Sequence, residues 1–182
     1  SDTVPYIVVQ NNFVPVPNGE GGSLTPMAAR HGLMKITAAH ELFHVFQLLY
    51  YPTWFSLDAF NADAWWLEAT ATWIEDEIYD RVDDYVYWVN QWMLEPGKTL
   101  AVEIGNQRAY ADVVFAKYLT EHVQKDAVLT SWNTIGSGVR VLPALDAVAN
   151  RVVNGWTLDD LYLGFASANQ RRDYEEAAGH VD

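Results

Sequence analysis

The stretch AAHELFHVFQ, Ala38 to Gln47, holds two histidines four residues apart, with a glutamate directly after the first. On a helix, positions i and i+4 lie one turn apart on one face. His40 and His44 can therefore aim both imidazoles at one ion. Glu41 is rotated by about 100° from His40. That sets a carboxylate beside the ion rather than on it, where it can take a proton from water. The competing reading is two core histidines that hydrogen-bond to their neighbours. Leu42, Phe43, Val45, Phe46, Leu48 and Leu49 make the segment apolar nearly all round, which predicts a buried helix. Buried imidazoles and a buried carboxylate need partners, and a metal would supply one.

The chain has no cysteine, so any metal must be held by His, Asp or Glu. A metzincin would complete the site with a glycine three residues past His44 and a histidine six residues past it. Gln47 and Tyr50 stand there, which excludes that class. The other common solution is a glutamate from a second helix. Glu68, in WWLEATATWIE, lies 24 residues beyond His44 (68 − 44). A helix, a loop at PTWFSLDAFNAD and a second helix returning antiparallel would bring it to the same point. Thr72, one turn beyond Glu68, is placed to hydrogen-bond a ligating histidine and fix its tautomer. Glu75, two turns beyond, lies on the same side. Two imidazoles and one carboxylate suit Zn2+ and leave a fourth position for water.

HELFH followed by WLEATATWIE resembles the gluzincin metallopeptidases. The second segment is similar to the glutamate helix of gluzincin aminopeptidases: Glu68, Ala71, Thr72 and Glu75 match, Leu67 replaces the usual Asn, and Ala69-Thr70 replaces Gly-Phe. The run from YIVVQNNF to AYADVVFAKYL, most of residues 5–120, is closer still to secreted bacterial gluzincin-like metalloproteases. The resemblance implies a zincin-like catalytic domain, α+β and mostly helical, with a small N-terminal sheet. It implies zinc bound by His40, His44 and Glu68, with Glu41 as general base and acid in peptide hydrolysis. It further implies that Tyr110, in AYADVVFAKYL, donates its hydroxyl to the oxyanion; a tyrosine packing at a helix start is the alternative. His122 is a lesser candidate for that role. In gluzincins an edge strand pairs with the substrate backbone. YIVVQNNF would be that strand, with Asn11, Asn12 and Phe13 in reach of substrate, or else a plain core strand. No Gly-x-Met-Glu-Asn-like amine anchor is present, which favours an endopeptidase.

Composition bounds the rest. With 182 residues, half of them hydrophobic, one domain with two lobes is expected, about residues 1–51 and about 52–182. A net charge of -13 excludes the basic footprint that nucleic acid requires and disfavours an anionic membrane surface. No apolar run approaches the ~20 residues of a membrane span. The chain opens Ser1-Asp2-Thr3, and the expectation is a piece of a longer precursor, secreted, with a propeptide or flanking domains beyond it.

Along the chain, PYIVVQNNF reads as a strand and VPVPNGEGGS as a loop. Helix is predicted from Thr25-Pro26 to Tyr51 with a break near His31-Gly32, then over about 62–79, 83–94, 109–122, 127–135, from Pro143 to near Gly155, and over 158–168 behind a Thr157/Asp160 capping box. The acidic run EDEIYDRVDD (Glu75 to Asp84) could hold Ca2+ but lacks the glycine and spacing of an EF-hand, so a solvated acidic face is expected. Trp65, Trp66, Trp73, Trp88 and Trp92 could form a glycan platform; at helical spacing they are expected in the core.

Overall fold

The computed structural model describes residues 26–53, 55–102 and 105–174. The expected strand at Pro5–Phe13, the sheet it would join, Asn11 and Asn12 all lie outside those residues. Among the described residues the chain is mostly helical and holds no strand. The helices are α1 (Pro26–Tyr50), α2 (Leu57–Tyr79), α3 (Tyr85–Leu94), α4 (Arg108–Ala111), α5 (Val113–Tyr118), α6 (Ala127–Gly136), α7 (Val141–Val152) and α8 (Leu158–Arg171), with a π-helical turn at Leu119–Val123 after α5.

α2 is the axis of the fold. Alternating bulky and small residues allow this: Trp65 and Trp66 fill space, while Ala64, Ala69 and Ala71 let neighbouring helices approach, and all five are buried. One side of α2 meets α1 antiparallel. Lys35 reaches the Tyr79 ring at one end of the pair, and Tyr51 donates to Asp63 at the other, 3.0 Å. The opposite side meets α5. There the indoles of Trp65 and Trp66 surround Phe115 at 6.4 and 6.2 Å between ring centres, and Lys117 donates to the Asp76 carboxylate at 2.7 Å. α6 and α7 pair with each other, α8 packs on α7 and α5, and Phe165 stacks edge-on against both Phe115 and Trp92.

Several helix ends differ from expectation for local reasons. α1 runs unbroken through Gly32. A Cβ there would lie 3.3 Å from both Val82 methyls, so the glycine serves close packing rather than a break. α2 starts at Leu57, because the Ser56 hydroxyl accepts from the Ala59 amide, 3.1 Å, and caps the helix. α3 starts at Tyr85 rather than Asp83. Pro143 lies inside the first turn of α7, where its missing N–H is no loss. The helix expected over 109–122 is tightened at Asp112 and widened into the π turn. The Thr157/Asp160 capping box forms as read.

α1 is not buried all round. His40, Gln47 and Ile36 face the interior, but Met34, Leu42, Val45, Phe46, Leu48 and Leu49 are exposed, with Leu49 at 77%. Composition shows that a face is apolar; it does not show what covers it. The described residues leave this one open.

Asp112, at the α4–α5 junction, is fully buried, and neither carboxylate oxygen closes a hydrogen bond. Burial pushes its pKa up to about 8, with the Arg108 charge pulling it back only in part. A raised folded-state value means that stability is full below the carboxyl's ordinary range and is lost as pH climbs through about 8. Asp112→Asn removes that titration. Its urea midpoint should change less between acid and mildly alkaline pH than the wild type's, and at pH near 8 the variant should be the more stable by about 1–3 kcal/mol; an unchanged pH slope would refute this.

Candidate metal centre

α1 and α2 bring three donor atoms to one point. His40 Nε2 and His44 Nε2 lie 3.1 Å apart, His40 Nε2 is 3.2 Å from Glu68 Oε2, and His44 Nε2 is 3.6 Å from the same oxygen. The helical i, i+4 spacing aligns the two rings, edge to face at 4.7 Å. The antiparallel α2 delivers Glu68 from across the helix pair. Among the described residues, these are the His, Asp and Glu side chains whose donor atoms converge, all within 4.8 Å of one another.

The donor set fits Zn2+ on geometry and on chemistry. Zinc bonds of about 2.0–2.1 Å in a tetrahedron require donor atoms about 3.3–3.4 Å apart. The three observed separations bracket that edge. His40 Nδ1 lies 2.6 Å from Glu75 Oε1 and donates to it, so its Nε2 presents a lone pair to Glu68 when the ring is neutral. With both rings neutral, lone pairs would face the Glu68 carboxylate across the centre, and a cation would satisfy them.

Without a metal the centre holds a proton on His40, which an ion would have to displace. Burial draws the His40 imidazolium down, yet hydrogen bonds to Glu68 and Glu75 outweigh it and raise the ring to about 9. Burial alone would raise Glu68, but His40 and His44 hold it at about 2, firmly a carboxylate. Glu75 is raised by burial, with Asp84 and Asp76 adding to the effect, and His40 works against it.

The other expected site residues fall as follows. Glu41 is half-buried on α1, one position past His40. Tyr110, on the short α4, stands at the centre. Its ring lies 5.7 Å from that of His40 and is stacked on Trp88 at 5.0 Å. Burial, followed by the charges of Glu68, Glu41 and Glu75, pushes Tyr110 up to about 12, so it stays a donor. Glu75 pairs with His40 as expected of a supporting group. Thr72 does not: its Oγ1 is buried without a hydrogen-bond partner, because the longer Glu75 side chain, one turn on, has taken His40 Nδ1. Gln47 was considered only as a bar to the metzincin pattern, yet it lies in the α1–α2 seam with its Oε1 2.6 Å from His44 Nδ1. The signal was there: a single amide, three residues past His44, in a long apolar run.

His122 plays no part in this cluster. Its ring is stacked on Tyr118 and its Nε2 meets the Asp173 carbonyl. The acidic run is not one solvated face. Glu77 and Asp80 are exposed, but Glu75 and Asp76 turn inward to His40 and Lys117. Trp65, Trp66 and Trp92 are buried, and Trp73 and Trp88 pack against the same core, so these indoles present no exposed row to a glycan.

Among the described residues, no helix is long and apolar enough to cross a membrane. No family model matches the chain, and neither a curated protein nor a solved structure proves similar to it.

A ligand that binds only the folded state stabilises it, by about 2.7 kcal/mol at 100 times its Kd. Zinc titrated into chelator-treated protein should raise the thermal midpoint and saturate at one ion per chain. Glu68→Ala should abolish the rise. Glu75→Ala should weaken zinc affinity by about 10–100-fold. A rise that survives in Glu68→Ala would place the ion elsewhere.

Proposed function

We propose that this chain is a zinc-dependent peptidase of the gluzincin type, acting on proteins or peptides outside the cell as an endopeptidase. The observation that carries this reading is the convergence of His40, His44 and Glu68 on one point, with Glu41 next to His40 on α1 and the Tyr110 ring 5.7 Å from that of His40. When bound there, Zn2+ supplies a Lewis acid that polarises a carbonyl and lowers the pKa of a water towards ~7.

The remaining steps belong to the protein's own side chains. Glu41 takes the proton of the attacking water and hands it to the departing amine as the C–N bond breaks. Tyr110 keeps its proton near neutral pH as any phenol does, its surroundings raise it further to about 12, and it donates a hydrogen bond to the oxyanion. Trp88, stacked on the Tyr110 ring, holds that hydroxyl in position. Glu75 holds His40 by its Nδ1. The zincin architecture and an N-terminal strand that pairs with substrate belong to the same proposal and rest on the sequence resemblance.

Glu41→Gln should bind zinc as tightly as wild type and lose at least about 100-fold in kcat on a peptide library. Tyr110→Phe should lower kcat by about 100–1000-fold with little change in KM. If the wild type binds zinc and cleaves nothing in a broad library, the domain is a zinc-binding module and the peptidase reading fails.

A further inference from the structure

Gln47 is 1% exposed, and each of its amide atoms is engaged. Nε2 donates to the Leu67 carbonyl at 2.8 Å and to Thr70 Oγ1 at 2.8 Å. Oε1 is 2.6 Å from His44 Nδ1. These contacts allow one orientation of the amide. A carbonyl oxygen can only accept. The Thr70 hydroxyl has committed its proton to the Trp66 carbonyl, 2.7 Å, so its oxygen also can only accept, from Gln47 and from the Trp132 indole N–H at 3.2 Å. Flipping the amide would turn its oxygen onto two acceptors and its NH2 onto the imidazole, leaving buried groups unpaired.

With the amide so fixed, Oε1 must accept, and His44 Nδ1 must carry the hydrogen. His44 Nε2 is then bare, and it is the atom that points at His40 and Glu68. A histidine has two tautomers, and only one of them ligates through Nε2. The choice at His44 is therefore made three hydrogen bonds from the ring: by the Trp66 carbonyl, which fixes Thr70, by Thr70 and Leu67, which fix Gln47, and by Gln47, which fixes the imidazole.

We infer that Gln47 is a positioning residue that locks His44 in the Nδ1–H tautomer, and that the Thr70–Trp132 contact between α2 and α6 is what holds Gln47 to that task. The inference rests on the metal-binding reading above and deepens it. A purely structural glutamine would matter for its two donated bonds. A positioning glutamine matters for the one bond it accepts. The two roles can be separated by substitution. Gln47→Glu keeps an acceptor for His44 and loses both donors. Gln47→Leu fills similar volume and loses everything.

Two measurements test it. Two-bond 1H–15N NMR of the histidine rings in wild-type protein, stripped with a chelator, should show His44 protonated on Nδ1 and bare on Nε2. Zinc dissociation constants from chelator competition should be about 10–100-fold weaker for Gln47→Leu, while Gln47→Glu stays within the wild type's order of magnitude despite a lower thermal midpoint. The inference is overturned if His44 carries its hydrogen on Nε2, or if affinity follows thermal stability and Gln47→Glu loses as much as Gln47→Leu. If the wild type binds no zinc, the metal reading fails by itself, and the NMR result, which needs no metal, still decides the tautomer.

Discussion

The structure depends on the polar seam between α1 and α2. His40, His44, Gln47 and Tyr51 fall at i, i+3 and i+4 spacings along one side of α1 and its end, and each turns into the antiparallel α2. Desolvating such groups without partners would cost several kcal/mol in sum. α2 answers each of them: Glu75 and Glu68 for the histidines, Leu67 and Thr70 for Gln47, Asp63 for Tyr51. Because these partners are directional, they set register as well as contact. A slip of α2 by one residue would leave every member unsatisfied, so the seam holds the donor atoms to a geometry that apolar packing alone would not specify. The Trp65, Trp66 and Phe115 cluster on the far side of α2 keeps that helix in place.

The seam is also electrically unbalanced. Glu68 and Glu75 flank the His40 imidazole, and the negative charge shows in its neighbours: Glu68 and Glu75 hold His40 up, and Tyr110 is held up by burial and by the glutamates. A divalent cation resolves the surplus. The same field keeps the Tyr110 hydroxyl protonated, which is the state an oxyanion donor needs. The proposed metal binding and the proposed donor role of Tyr110 would both draw on one charge distribution.

The convergence of His40, His44 and Glu68 was legible in the sequence because residues that share a helix face keep a fixed spacing. His40 and His44 had to be four apart, and an antiparallel return placed Glu68 and Glu75. Residues whose roles depend on distant partners were less legible. Glu75 and Asp76 looked like part of a solvated acidic face, since nothing local shows that His40 and Lys117, 35 and 41 residues away, would draw them inward. Thr72 looked like a histidine partner on spacing alone, but side-chain length favoured Glu75. Gln47 was read only for what it was not. Helix existence was well marked by periodicity. Helix ends and breaks were not, because Ser56 acts through a single cap and Gly32 through a close approach. The apolar stripe on α1 misled on burial for the reason that hydrophobicity does not name its own cover.

The most direct test of the central claim is X-ray absorption at the zinc edge on protein loaded with one equivalent of metal. The account predicts a first shell of nitrogen and oxygen at about 2.0–2.1 Å, with the outer-shell scattering of two imidazole rings that vanishes for one ring in His44→Ala. A spectrum of fully hydrated zinc, or one unchanged by removing His44, would contradict it.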